Sequence, residues 1–292
     1  MAGFRTTTTD DDSILTTLTT AGIRTSRVYS NLSFSRGNFW RVKALPSGQI
    51  LTAGSLPLNA RSNFFVSRLN ANGTLDASFG TAGYSTLTTR EDGGWGLRDF
   101  VLQADGKIVM TGGFNSNTDT LQNVGAARLL DNGSVDTTFN AAGTPGQNYL
   151  AVPNTVFVGT GRAARIQTDG KILIVSRFYS SIDNTATGRQ AMIVRFNADG
   201  TVDTTYGGGG VAKTSFTGGS SQARAMDLDA AGRAVLTGEG SGQVRLARFT
   251  TSGVLDGTFG IGGMASFALP TGITLFLRHL RQSCCPPARS WL

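Results

Sequence analysis

Side chains able to do chemistry are scarce in this sequence. It holds a single His, His279, two adjacent cysteines, Cys284 and Cys285, and two Glu, Glu91 and Glu239. One His near the C-terminal end leaves no basis for a His-centred triad or a multi-His metal site. Neighbouring cysteines rarely bridge each other, and they make no CxxC pattern. Six carboxylates, Glu91, Asp92, Asp99, Asp119, Asp183 and Glu239, stand apart from any repeated pattern. A pair of them could serve as acid and base on a carbohydrate, but spacing alone places no such pair. Trp40 and Trp95 offer flat faces on which a sugar can stack, or simply core packing. Gly207–Thr214 reads GGGGVAKT, close to a phosphate loop, yet Ala212 stands where such a loop needs Gly before its Lys, and no run of helix formers follows. No cofactor is implied.

The composition sets the scaffold. Charged residues are 15% of the chain, against roughly 25% in an average soluble domain. Gly is 39 of 292 residues, about 13%, where roughly 7% is usual. Helix formers are few, whereas Thr and turn residues abound, so short strands joined by tight turns are expected. The net charge is +7, carried by 22 Arg and 4 Lys. The arginines are dispersed and form no basic run, which argues against a nucleic-acid surface. No apolar stretch reaches the length of a membrane-spanning helix. The opening MAGFRTTTTDDDS lacks the basic and apolar regions of a signal peptide.

Two phrases recur. The first reads RLNANGTLDASFGTAG (68–83), RLLDNGSVDTTFNAAG (128–143), RFNADGTVDTTYGGGG (195–210) and RFTTSGVLDGTFGIGG (248–263). The second lies between its copies, with glycines at Gly48, Gly106, Gly170 and Gly232. The period is about 60 residues, in four full copies with fragments at both ends. Unit two shows the pattern: strands at 84–88, 96–103, 107–112 and 124–130. Asp105-Gly106 reads as a two-residue type I′ hairpin turn. The third strand, KILIV in unit three, is apolar at nearly every position, as a strand covered on both faces would be. Four antiparallel strands per unit is the pattern of a β-propeller blade. The expected fold is an all-β, propeller-like array of four-stranded blades, five-bladed or an open arc. Its repeat domain spans 14–270, with units at about 22–75, 83–135, 143–202 and 210–255 and a partial one at 263–270. Residues 1–13 stand apart as a segment able to act as a closing strand, and 271–292 as an atypical tail.

The repeated side chains are expected to be structural. Phe79, Phe139, Tyr206 and Phe259 share one slot, suited to plugging the gap between successive blades. Gly83, Gly143, Gly210 and Gly263 follow four residues later, where a positive φ or a close backbone approach is needed. Asp76, Asp136, Asp203 and Asp256 can cap the turn that follows them. Arg68, Arg128, Arg195 and Arg248 can pair with a nearby Asp or cover apolar surface. Asn197, Asp199 and Asp203 are hard oxygen donors that would suit calcium. Unit two has Leu130 in the first of these positions, and unit four has Thr250 and Ser252, so turn chemistry is the simpler reading.

The phrases LQADGKIVMTGG, IQTDGKILIV and RFNADGTVDTTYGGGG resemble the delta-60 repeat family over about residues 14–268. The resemblance implies a bacterial, propeller-like protein, secreted or at the cell surface. It implies neither a catalytic activity nor catalytic residues. The function expected is a non-catalytic binding or surface-scaffold module with a protein or glycan ligand. The alternative is a propeller enzyme acting on a carbohydrate or lactone through Asp or Glu at the channel mouth. An array that does not close would leave sheet edges open to self-association.

Overall fold

The computed structural model describes residues 2–6, 11–18, 24–28, 38–58, 61–91, 96–115, 122–150, 156–180, 190–216, 222–240 and 243–268. Among them there is no helix, and twenty strands form five antiparallel sheets. The N-terminal sheet has three strands, β1 (Ala2–Thr6), β2 (Asp11–Leu18) and β3 (Arg24–Val28). The first full sheet is β4 (Asn38–Ala44), β5 (Ile50–Leu58), β6 (Arg61–Leu69) and β7 (Tyr84–Glu91), in that order. The second is β8 (Leu97–Leu102), β9 (Ile108–Asn115), β10 (Gln122–Leu129) and β11 (Gln147–Tyr149). In the third, β12 (Val156–Val158) and β13 (Ala163–Ile166) both pair with β14 (Ile172–Ser180), followed by β15 (Gln190–Phe196) and β16 (Val211–Thr214). The fourth is β17 (Gln222–Leu228), β18 (Ala234–Gly240), β19 (Gln243–Phe249) and β20 (Met264–Ala268). The strands β4, β8, β13 and β17 are successive neighbours, so the sheets fan out from a shared line of first strands. Among the described residues no strand pairing joins the first and last sheets, and the array is open.

The alternation of side chains in the middle strands explains their unbroken apolar character. Ile108 and Met110 of β9 belong to a core shared with Leu51, Ala53 and Phe64 of the preceding sheet. Val109 lies in the next core, with Ile172, Ile174 and Met192. In β14, Leu173 and Val175 turn to the fourth sheet, where Leu236, Ala247 and Phe249 meet them. The second and third sheets have two apolar faces and bury both by stacking on their neighbours, since a single sheet cannot cover itself.

Two sequence expectations need correction. The sheets cut the repeat at a different point from the units read in the sequence. Tyr84 pairs with Ser67 of β6, so 84–91 closes the first sheet instead of opening the second. The phrase therefore crosses from the third strand of a sheet to its outermost strand. Within residues 1–13, β1 pairs with β2 in a local hairpin, Gly3 opposite Ile14. Finally, the Asp105-Gly106 turn is a three-residue loop. Gln103 N–H bonds the Lys107 carbonyl and Gly106 N–H bonds the Gln103 carbonyl. Only Gly106 has positive φ, +84°, where a type I′ turn needs two such residues.

Candidate functional site

Each copy of the first phrase builds the same joint between sheets. The Arg68 Nε donates to Asp76 Oδ2 at 2.7 Å, and its Cζ lies 4.9 Å over the Phe79 ring. The matching pairs are Arg128–Asp136, Arg195–Asp203 and Arg248–Asp256, each at 2.8 Å. Their guanidinium carbons lie 4.7 Å over Phe139, 4.3 Å over Tyr206 and 4.8 Å over Phe259. The second carboxylate oxygen caps the next turn: Asp136 Oδ1 accepts Thr138 N–H at 3.0 Å and its hydroxyl at 2.6 Å. Burial by itself raises the Asp203 carboxyl. Bonds from Thr205 and Lys171 and the charge of Arg195 outweigh it and hold the pKa at about 2. In Asp76 the Ser78 hydroxyl is the chief cause of the lowering.

The joint grips the turn of the following sheet. Arg68 Nη1 donates to the Asp131 carbonyl at 2.8 Å, and Gly80 N–H to the Asn132 carbonyl at 2.7 Å. The turn glycine then slides under the aromatic ring, because a Cβ on Gly133 would sit 3.0 Å from Phe79 and one on Gly200 2.7 Å from Phe139. Arg128 and Asn140 hold the Ala198 and Asp199 carbonyls, and Arg195 and Gly207 hold those of Thr251 and Ser252. Phe79, Phe139 and Tyr206 are fully buried, whereas Phe259 in the last joint is half-buried. Among the described residues no carbonyl meets Gly260 N–H or Arg248 Nη1.

Gly143 lacks the positive φ, although a Cβ there would sit 2.6 Å from the Asn140 side chain. Gly83, Gly210 and Gly263 have φ of +99°, +95° and +91°, but in the second copy this role falls to Gly146 at +89°. Its N–H reaches the Phe139 carbonyl and its carbonyl accepts from Arg128 N–H, as Gly83 does with Phe79 and Arg68. Three inserted residues, Thr144 to Gly146, displace the slot. The trio Asn197, Asp199 and Asp203 is engaged in the turn. Asp199 Oδ1 accepts Thr201 N–H and hydroxyl, Asn197 donates to Thr201, and Asp203 is paired with Arg195 and Lys171. Gly207–Gly210 is followed by strand β16, not the helix on which a phosphate loop depends.

A different set of residues lines the first strands. Arg41 Nε donates to Asp99 Oδ1 at 2.8 Å, Arg165 lies 3.8 Å from Asp99 Oδ2, and Arg165 Nε donates to Asp227 Oδ1 at 2.9 Å. One ionic belt thus crosses β4, β8, β13 and β17. Asp99 is buried and also accepts Ala164 N–H at 3.0 Å. The Arg165 bond is the main reason the Asp227 carboxyl lies below its ordinary range. Beside this belt, the ladders of β4, β8 and β17 each carry an irregularity in the same place, passing Trp40, Arg98 and Arg224. Arg162 stands in the equivalent position just before β13, its N–H on the Val175 carbonyl. All four are half-buried, and Arg98 Cζ lies 4.8 Å over the Trp40 ring. A bulge re-aims the side chain it carries and often borders a site. The sequence does contain the signal: Trp40, Arg98, Arg162 and Arg224 each precede a turn glycine of the second phrase by eight residues.

Of the other acidic candidates, Asp92, Asp119 and Asp183 lie outside the described residues, as do Trp95 and His279. Glu91 and Glu239 are described only as positions in β7 and β18. Among the described residues no group of three His, Cys, Asp or Glu is placed to hold a metal ion, and no helix is long and apolar enough to cross a membrane.

Stacked four-stranded sheets around a line of first strands define a β-propeller-like repeat protein. The same four repeats, over 45–79, 103–139, 167–206 and 228–259, match the family model described as a domain of unknown function (DUF5122) beta-propeller. Among solved structures, the chain is similar to a Penicillium chrysogenum alpha-L-arabinanase complexed with arabinobiose. The TM-score is 0.52 at 11% identity, covering 92% of this chain and 80% of that one. It also matches the polysaccharide lyase Uly1 with a TM-score of 0.44 at 12% identity, over 82% of this chain and 51% of that one. The likeness to the arabinanase, at that identity, speaks to fold alone. No curated protein sequence matches the chain.

Proposed function

We propose that this chain, built from delta-60-like repeats, is a non-catalytic binding module that takes a glycan along its first strands. One observation carries the reading: the described carboxylates of these strands, Asp99 and Asp227, are both ion-paired with arginine, in the belt that joins the sheets. A general acid needs a carboxyl whose pKa is raised by its surroundings, and Asp227 is shifted the other way. Trp40 beside this belt supplies the aromatic surface that sugar faces favour. The test is calorimetry against a panel of neutral and acidic oligosaccharides, arabinobiose included, with a reducing-end assay on the same mixtures. Binding without product release, abolished by Trp40→Ala at unchanged melting temperature, is expected. Release of reducing ends would establish the propeller-enzyme alternative instead.

A further inference from the structure

We infer that the outer face of the fourth sheet is an interface whose occupant is a second copy of this chain. The two fourth sheets meet face to face across a two-fold axis, their strands antiparallel. This goes beyond the glycan reading and does not depend on it.

The face can be compared with its counterpart one sheet earlier. In the third sheet Leu173 pairs with Arg195 and Val175 with Ile193, and Ala212 lies opposite Ile193. In the fourth, Val235 pairs with Arg248 and Thr237 with Leu246, and Ala265 lies opposite Leu246. The two sheets therefore match position by position. Leu173, Val175, Ala191, Ile193 and Ala212 are buried, because the fourth sheet packs on them. Their counterparts Val235, Thr237, Val244, Leu246 and Ala265 are only half-buried. Phe267, which matches the buried Thr214, is 51% exposed. Ile261 on the neighbouring turn is 92% exposed. Inside the array this kind of face holds one sheet on the next. Left in water, it favours any contact that removes it from solvent.

The chemistry of the face selects a copy of itself. Its middle is uncharged, with Thr237 and Leu246 at the centre. Its charged positions stand at opposite ends. Arg248, paired with Asp256, is at one end, and Glu239, opposite Val244 in the ladder, is at the other. A two-fold axis through the centre brings each Glu239 position over the partner's Arg248 end, so unlike charges are opposed. One patch used by both partners is what a closed dimer requires. Head-to-tail contact with the first full sheet is not on offer. Its side turned away from the second sheet, with Thr52, Phe65, Ser67 and Leu69, is already buried.

The experiment is sedimentation equilibrium of the whole chain from about 1 to about 100 μM, the range of moderate affinities. A reversible monomer–dimer equilibrium is expected. Raising NaCl from about 50 to about 300 mM should leave it unchanged or strengthen it, since two copies of net charge +7 repel each other less when screened. Ile261→Lys and Phe267→Lys should each weaken the dimer about tenfold or more, as charges placed in an apolar contact do. Val42→Lys, at an exposed apolar residue of β4, should leave it intact. Circular dichroism checks the fold of each variant, and Phe267→Ser replaces any Lys variant that loses its sheet signal. A monomer at every concentration overturns the inference. So does open-ended assembly beyond the dimer, or a dimer indifferent to the changes at Ile261 and Phe267. Sugar binding by the chain is untouched by any of these outcomes.

Discussion

The sheet joints and the first strands belong to the same four sheets, yet they obey different rules. The joint keeps its Arg, Asp and aromatic ring in every copy, at nearly the same distances. The first strands change at matched positions: Arg41, Asp99, Ala163 and Ala225 occupy one column, and Lys43, Val101, Arg165 and Asp227 another. Side chains stay constant where each sheet must meet the next in one geometry. They diverge where the sheets look onto a shared line and need not match. A second contrast lies within the joints themselves, since three grip a turn and the fourth, among the described residues, grips none.

The largest test of that contrast is truncation of the ring. Phe139→Ala should destabilise the fold by about 3–5 kcal/mol, the range for a buried Phe that leaves a cavity. Phe259→Ala should cost roughly 1 kcal/mol or less, because that ring is only partly removed from water. Chemical denaturation of the two variants compares them, and equal losses would show the fourth joint to be as filled as the others. Next, Arg128→Ala strands the buried Asp136 carboxylate and should cost about 3 kcal/mol, more than Arg248→Ala.

Acid should attack the joints together. Their Asp groups have lower pKa values folded than unfolded, about 2 for Asp203 and Asp256 against an ordinary value of 3.8. Such groups favour the folded state above the unfolded pKa, and that contribution disappears as pH falls through the folded one. Stability followed by circular dichroism should therefore drop between about pH 4 and pH 2, and Asp203→Asn should flatten the slope. Gly146→Ala should lower stability by about 1–3 kcal/mol, since its φ is +89° and an added Cβ would meet Val135 Cγ1 at 2.3 Å. Gly143→Ala, at a residue without positive φ and facing the side chain of Asn140, should do less. The smallest effect expected is a gain. The Tyr206 hydroxyl is buried with no hydrogen-bond partner among the described residues, and burial pushes its pKa up. Tyr206→Phe should then be neutral or stabilising by up to roughly 1 kcal/mol, and a clear loss in thermal melts would reveal a partner for that hydroxyl.

Much of this fold was legible because a periodic sequence shows each slot four times. The apolar run of β14 and the aromatic slot both announce faces covered on either side. The sheet boundaries were not legible, because strand pairing across the phrase is a long-range choice: nothing local in Tyr84–Glu91 says that it pairs backwards with β6. Gly146 was hidden by an insertion that preserves the look of the phrase at Gly143 while moving its geometry. The belt escaped notice for another reason. Arg41, Asp99, Arg165 and Asp227 lie on four different strands, at positions that do not all match, so only folding brings them into one line. The bulge column was within reach, since its eight-residue offset is written in the chain, but Trp40 in place of Arg breaks the pattern in its first copy.

Among the described residues the fourth joint meets no turn, and its parts match those of the other three. Its ring, its guanidinium and its backbone donor are already set as in the three joints that hold a turn. One more stretch of some sixty residues with a glycine turn of the same kind would seat there without any new contact chemistry. Length in this architecture is therefore modular, added or removed one sheet at a time, much as links are in a chain.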